Sequence, residues 1–204
     1  MMQEFVANNN VIVDDTFYDF NEDEYEKNVL NARPWKNDPN YFTKCKINAI
    51  ALIKMLQHAK KGGNIEVMGY IRGKVVGKTF VIMDAFPLPV EATETRVNAN
   101  QDALEYIGKY NDLCDVIKRQ ENVVGWYHSH PSYGPWLSGI DVATQRSCQM
   151  TDPQLAIVID PIRTQITGKV DIGAFRTYKP EDVNAMKAQR KDVFFCVLIK
   201  ILEQ

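Results

Sequence analysis

Hydrophobic positions recur along the chain with two periods, about 3.6 in some stretches and 2 in others. Ile47, Ile50, Ala51, Lys54 and Met55 mark one helical run, and Ala49, Leu52, Ile53 and Leu56 make it apolar on most sides. That pattern predicts a buried main helix over residues 41–61. Gly62-Gly63 supplies its left-handed C-terminal cap. Residues 65–71 and 80–83 read as a strand pair joined through Gly73 and Gly77, and Pro87 and Pro89 are expected to break the second strand. A polar loop follows over residues 91–96. Helical period returns from Asp102 to Lys118, with Leu104, Ile107, Tyr110, Leu113, Cys114 and Ile117 on one stripe. Residues 123–127 predict a short buried strand ending near Pro131. Leu155 to Ile159 predicts another, ended by Asp160-Pro161, and residues 169–176 alternate as a further strand. Strands and helices mix without strict alternation, which predicts an α/β domain: one mixed central β-sheet with helices packed on it.

Around that domain the charge pattern changes. Asp14, Asp15, Asp19, Glu22, Asp23, Glu24 and Glu26 make residues 1–40 an acidic N-terminal arm, interrupted by Phe17, Tyr18, Phe20 and Tyr25, which could fold part of it back. Residues 41–180 form the expected domain. Residues 181–204 form a tail, with a helix as one candidate conformation of its apolar end. The net charge of −2 leaves no basic surplus for nucleic acid or an anionic membrane. Cys45, Cys114, Cys148 and Cys196 are widely spaced, which suits reduced thiols of an intracellular protein better than a disulfide framework. Residues 1–10 lack the apolar core of a signal peptide, and the run from Val193 to Ile199 is too short to span a bilayer.

Candidate chemistry concentrates in residues 122–141. Two of the three histidines of the chain, His128 and His130, sit there. On a strand, Val124, Trp126, His128 and His130 would share one face, placing both imidazoles side by side at a strand end. Ser138-Gly139-Ile140-Asp141 has the serine-x-x-acid spacing of a helix start. Two imidazoles and a carboxylate leave one position open on a tetrahedral zinc, the pattern of a catalytic site. Nitrogen and oxygen in this ratio suit zinc, and other first-row metals stay open. Read locally, the histidines could equally be ordinary polar residues and Ser138 a helix cap. Glu66, a carboxylate in an apolar strand, reads locally as an edge-strand residue facing water. His58 reads as structural.

Glu66 in Ile-Glu-Val-Met-Gly, then Gly-Trp-Tyr-His-Ser-His-Pro, then Trp-Leu-Ser-Gly-Ile-Asp, resemble the JAMM (MPN-plus) zinc isopeptidase family. Residues 33–35, 41–42, 93–99 and 173–178 are similar to its signalosome branch, and the likeness covers roughly residues 17–180. The resemblance implies a single MPN domain of cytidine-deaminase-like fold. It implies His128, His130 and Asp141 as ligands of one zinc ion with a bound catalytic water. Glu66 is implied as general acid/base and Ser138 as the donor to the oxyanion, a role that would displace the cap reading. It also implies removal of a ubiquitin-like modifier from cullins, in company with other signalosome subunits, especially another MPN-domain subunit, in cytoplasm and nucleus. A deubiquitinase of the same chemistry and a non-catalytic zinc-binding scaffold are the alternatives. A zinc nucleobase deaminase would need a Pro-Cys-x-x-Cys pair that is missing here.

Departures from the family are visible. Pro135 stands where a cysteine is usual. Tyr70-Ile71-Arg72 is bulkier and more charged than the usual Leu-Met-Leu. The family also continues past this length with helices that join a multi-subunit bundle. Within the 91–99 loop, Glu94 is expected to be able to fill the open metal position and Arg96 to pair with Asp141, keeping an isolated chain quiet.

Overall fold

The computed structural model describes residues 19–38, 40–91, 101–119, 121–150, 153–178 and 196–203. Seven strands appear among them: β1 (Lys44–Ile47), β2 (Val67–Val76), β3 (Thr79–Glu91), β4 (Asn122–Ser129), β5 (Leu155–Asp160), β6 (Asp171–Thr177) and β7 (Cys196–Glu203). Their order is β1-β3-β2-β4-β5-β6-β7, and β7 pairs back onto β1, closing the mixed sheet. Past residue 40, the helices among the described residues are α1 (Ala49–Gly62), α2 (Gln101–Val116), α3 (Gly139–Cys148) and α4 (Pro161–Thr167). The mixed sheet with packed helices is the α/β architecture the sequence predicts.

β4 and β5 run side by side in parallel near the middle of the sheet, and β5 is buried along its whole length. Its uninterrupted apolar run Leu155-Ala156-Ile157-Val158-Ile159 follows from that, since both faces are covered. Ile157 and Ile159 join one hydrophobic cluster with Met55 and Phe80, while Ala156 and Val158 join a second with Trp126 and Phe175.

Several expectations need correction. The first part of the supposed helix is β1, and Asn48 opens α1 by accepting the Ile50 N–H at 2.7 Å. Only Ala51, Met55 and Ala59 of α1 are fully buried, while Ile50 and Ile53 are exposed. Helix amphipathicity therefore replaces the all-round burial expected. Leu113 on α2 and Ile117 just past its end likewise face outward, while Cys114 is buried. Pro87 and Pro89 do not end β3. Beyond Ile82, β1 no longer accompanies β3, so the missing proline N–H groups cost no ladder bond on that edge. The helix considered for the tail is instead β7 over its described residues.

The described part of the acidic arm folds back on the domain: Tyr25 and Trp35 are buried in the main cluster, and Lys74 donates to the Asp19 carbonyl. Arg72 also finds its explanation. It is buried, and its guanidinium donates to Asn111 Oδ1 at 2.5 Å and to the Arg119 carbonyl at 3.1 Å, tying β2 to α2 and the turn after it.

Candidate metal centre

The end of β4 delivers His128 from within the strand and His130 just beyond it. Trp126 stacks on His128, centroids 4.7 Å apart, and the His128 and His130 rings lie 4.6 Å apart, so these three residues share a face as expected. Val124 does not. A register shift opposite Ile71/Arg72 breaks the alternation, and Val124 packs in the other cluster with Tyr127. Gly125 sits at this irregularity, where a Cβ would meet the Leu155 carbonyl oxygen at 2.0 Å.

Antiparallel pairing of β2 with β4 sets the next residue. Met68 faces His128 in register, and continuing that register by two residues brings Glu66 opposite His130. The Val67 N–H donates to Ser129 Oγ at 3.0 Å and holds the junction. Glu66 Oε1 then lies 4.0 Å from His130 Nε2, with the side chain one-third exposed. Glu66 is thus neither inside β2 nor on an edge strand; it precedes a central strand.

α3 supplies the carboxylate. Ser138 is its N-cap: the Asp141 N–H donates to Ser138 Oγ at 3.2 Å, and Asp141 Oδ2 accepts the Ser138 N–H at 2.7 Å. This reciprocal pair points Asp141 at the strand end. Its Oδ2 lies 3.3 Å from His128 Nε2 and 3.5 Å from His130 Nε2, and the two Nε2 atoms are 2.9 Å apart. Burial opposes the charge on Asp141, but the two imidazoles and the Ser138 bond outweigh it, holding the carboxyl well below the usual carboxylate range. The cap reading of Ser138 holds, and it does not exclude an oxyanion role. A hydroxyl has two lone pairs and one proton, so an oxygen accepting from Asp141 can still donate.

These donor atoms fit a metal ion. His130 Nδ1 contacts the Gly134 carbonyl at 3.2 Å, and donation along that bond leaves Nε2 as a lone pair. It faces a second imidazole nitrogen and a carboxylate oxygen, a concentration of electron-rich atoms that a cation resolves. His128, His130 and Asp141 are grouped within 4.8 Å, with both histidines buried. His128 Nδ1 is buried without a hydrogen-bond partner among the described residues.

Two further residues shape the site. The Tyr133 hydroxyl donates to Glu66 Oε1, and its ring stacks on His130 with centroids 4.4 Å apart. Asp160, fully buried, accepts the N–H of Ser132 at 3.1 Å and of Gly134 at 2.8 Å. Neither is legible as a site residue from its neighbours alone, although Asp160-Pro161 carries the signature of a helix start. His58 Nδ1 lies 2.9 Å from the Tyr127 hydroxyl, a core contact. Glu94 and Arg96 lie outside the described residues.

A family profile described as JAB1/Mov34/MPN/PAD-1 ubiquitin protease matches residues 40–154, more than half of the chain. The chain belongs to this family. Its MPN domain is also similar to curated relatives. It is 54% identical over 181 residues to COP9 signalosome complex subunit 5 of Caenorhabditis elegans, covering 86% of this chain and 49% of the relative. It is 55% identical over 194 residues to the subunit 5 of Gibberella zeae, covering 93% and 56%. To subunit 5b of Arabidopsis thaliana it is 56% identical over 174 residues, covering 83% and 48%. The chain spans about half the length of these curated relatives.

Proposed function

We propose that this chain is a zinc-dependent isopeptidase that removes a ubiquitin-like modifier from cullin subunits of ubiquitin ligases, as the catalytic subunit of a signalosome. The observation that carries the reading is the convergence of His128 Nε2, His130 Nε2 and Asp141 Oδ2, with the Glu66 carboxylate 4.0 Å from His130. Similarity to signalosome subunits supports the branch.

His128, His130 and Asp141 would hold the zinc, which when bound polarises a scissile carbonyl and makes water nucleophilic near neutral pH. Glu66 takes a proton from the attacking water at a carboxylate oxygen and returns it to the leaving lysine amine. Tyr133 holds that carboxylate through Oε1. Ser138 donates its hydroxyl proton to the developing oxyanion while its oxygen caps α3. Trp136 stands half-exposed with its ring edge against His130, centroids 5.5 Å apart, and walls one side of the site.

The partners in this reading are other signalosome subunits, another MPN-domain subunit above all, and the site of action is cytoplasm and nucleus. Glu94 would close the open metal position in the isolated chain and Arg96 would pair with Asp141. Glu94→Ala and Glu94→Gln then each raise the activity of the isolated chain; unchanged activity in both refutes that part.

The test is cleavage of a cullin carrying its modifier and of a ubiquitin chain, each with the chain alone and with signalosome partners, using Glu66→Gln as the blank. Cullin cleavage only in the presence of the partners is the expected result. Cleavage of the ubiquitin chain alone moves the protein to the deubiquitinase branch, and cleavage of neither with zinc bound favours a scaffold.

A further inference from the structure

Asp160 does more than cap a helix. Its Oδ1 accepts the Ile162 and Arg163 N–H groups at 3.0 and 2.9 Å, an ordinary N-cap for α4. The same carboxylate reaches back to a segment 26 to 28 residues earlier, accepting the Ser132 N–H on Oδ1 and the Gly134 N–H on Oδ2. Those two bonds have no part in the cap. They hold a tight loop in which Ser132 has φ +79° and Gly134 φ +92°, both in the left-handed region. A non-glycine residue stays there only when its surroundings over-determine it, and the buried carboxylate does so.

This loop faces the metal centre. The Gly134 carbonyl, one residue plane away from the N–H that Asp160 grips, takes His130 Nδ1. Tyr133, between the two gripped residues, stacks on His130 and bonds Glu66. The neighbouring Ile159 carbonyl accepts the His130 N–H at 2.9 Å, so adjacent residues at the end of β5 govern both the backbone and the ring of this histidine.

We propose that Asp160 is a positioning residue for the metal centre, acting through the 131–134 loop to fix the orientation and tautomer of the His130 imidazole. The proposal rests on the zinc reading above, because its purpose is to present Nε2 to the metal. A partner that orients a ligand histidine in this way typically governs metal affinity by tenfold or more; Asp160 does so one bond further out, with the carbonyl as relay.

Two variants separate this role from capping. Asp160→Asn keeps the shape but sets an amide N–H against backbone N–H donors. Asp160→Ser keeps a good N-cap for α4, yet its single short hydroxyl cannot bridge to both Ser132 and Gly134. Zinc dissociation constants are measured by competition with a chromophoric chelator, and the His130 tautomer by nitrogen-15 correlation spectra of the metal-free protein. Thermal unfolding of both variants and of Asp160→Ala runs alongside. The expected result is zinc affinity weakened about tenfold or more in Asp160→Asn and Asp160→Ser, with loss of the single Nδ1–H tautomer, while Asp160→Ser unfolds closer to the native chain than Asp160→Ala. Native zinc affinity and an unchanged tautomer in the folded variants, with only the unfolding midpoint lowered, would reduce Asp160 to a helix cap and overturn the proposal. A native chain that binds no zinc defeats the isopeptidase reading instead, and the tautomer spectra then decide the Asp160 question alone.

Discussion

Ser138 and Asp141 cap each other: the serine N–H donates to Asp141 Oδ2 at 2.7 Å, and the aspartate N–H returns to Ser138 Oγ at 3.2 Å. The oxygen so fixed is the one that faces both histidines. One reciprocal pair thus starts a helix and aims a carboxylate at the histidine pair. Ser138→Ala is expected to cost about 1 kcal/mol of stability and to lower kcat about a hundredfold or more through loss of the proposed oxyanion donor. Ser138→Asn, which can still cap, restores the stability but leaves a larger part of the kinetic defect. Chemical denaturation and steady-state cleavage separate the two effects.

Glu66 stands beside the donor cluster without belonging to it. Glu66→Gln is therefore expected to bind zinc like the native chain while kcat falls about 10²- to 10⁴-fold. Loss of zinc in this variant, measured by elemental analysis of dialysed protein, would mean that Glu66 is a ligand.

Tyr133 holds Glu66 by a single hydroxyl and His130 by its ring. Tyr133→Phe removes only the first contact. The expected effect is a fall in kcat of about two- to tenfold, the worth of one ordinary hydrogen bond, with KM and zinc content unchanged. A rise in KM with kcat intact would assign Tyr133 to substrate binding.

Asp84 gives a pH prediction away from the site. It is buried, and accepts from Lys54 Nζ at 2.6 Å, the Ala85 N–H at 2.8 Å and the Tyr110 hydroxyl at 3.0 Å. Burial alone would raise its pKa, but the Lys54 and Ala85 contacts outweigh it and hold the carboxyl below its ordinary 3.8. A carboxyl depressed in the folded state contributes stability that is complete above its unfolded pKa and is lost as pH falls through the folded one. Asp84→Asn should therefore be less stable than the native chain at neutral pH, by about 1–3 kcal/mol, with the gap closing in acid. Denaturant unfolding at pH 7 and pH 3 reads it, and a gap independent of pH would assign the loss to packing.

Much of the site is legible in the sequence because its signals are local. A histidine pair at spacing two needs only a strand to become a paired donor, and Ser138 with Asp141 spells its own helix start. The position of Glu66 is legible only by resemblance, since it depends on β2 lying antiparallel to β4 in one register. The site roles of Asp160 and Tyr133 escape local reading, because the hydrogen bonds that carry those roles span 26 to 67 residues. The fold errs where tertiary pairing overrides local pattern. Residues 44–47 adjoin the helical run that begins at Ile47, but they alternate with Cys45 and Ile47 buried and are recruited as a strand between β3 and β7. Pro87 and Pro89 remain in β3 because its other edge has no strand partner there among the described residues. In β4, one bulge turns Val124 away from the face that its spacing assigns.

The proposed function depends on His128, His130 and Asp141 together holding one catalytic zinc. Its most direct test is metal content by elemental mass spectrometry, after dialysis against a weak chelator, for the native chain and for His130→Ala and Asp141→Ala. One zinc per native chain, lost in both variants while their far-ultraviolet circular dichroism is unchanged, is the predicted result. A native chain without zinc, or full zinc content in either variant, would contradict the account.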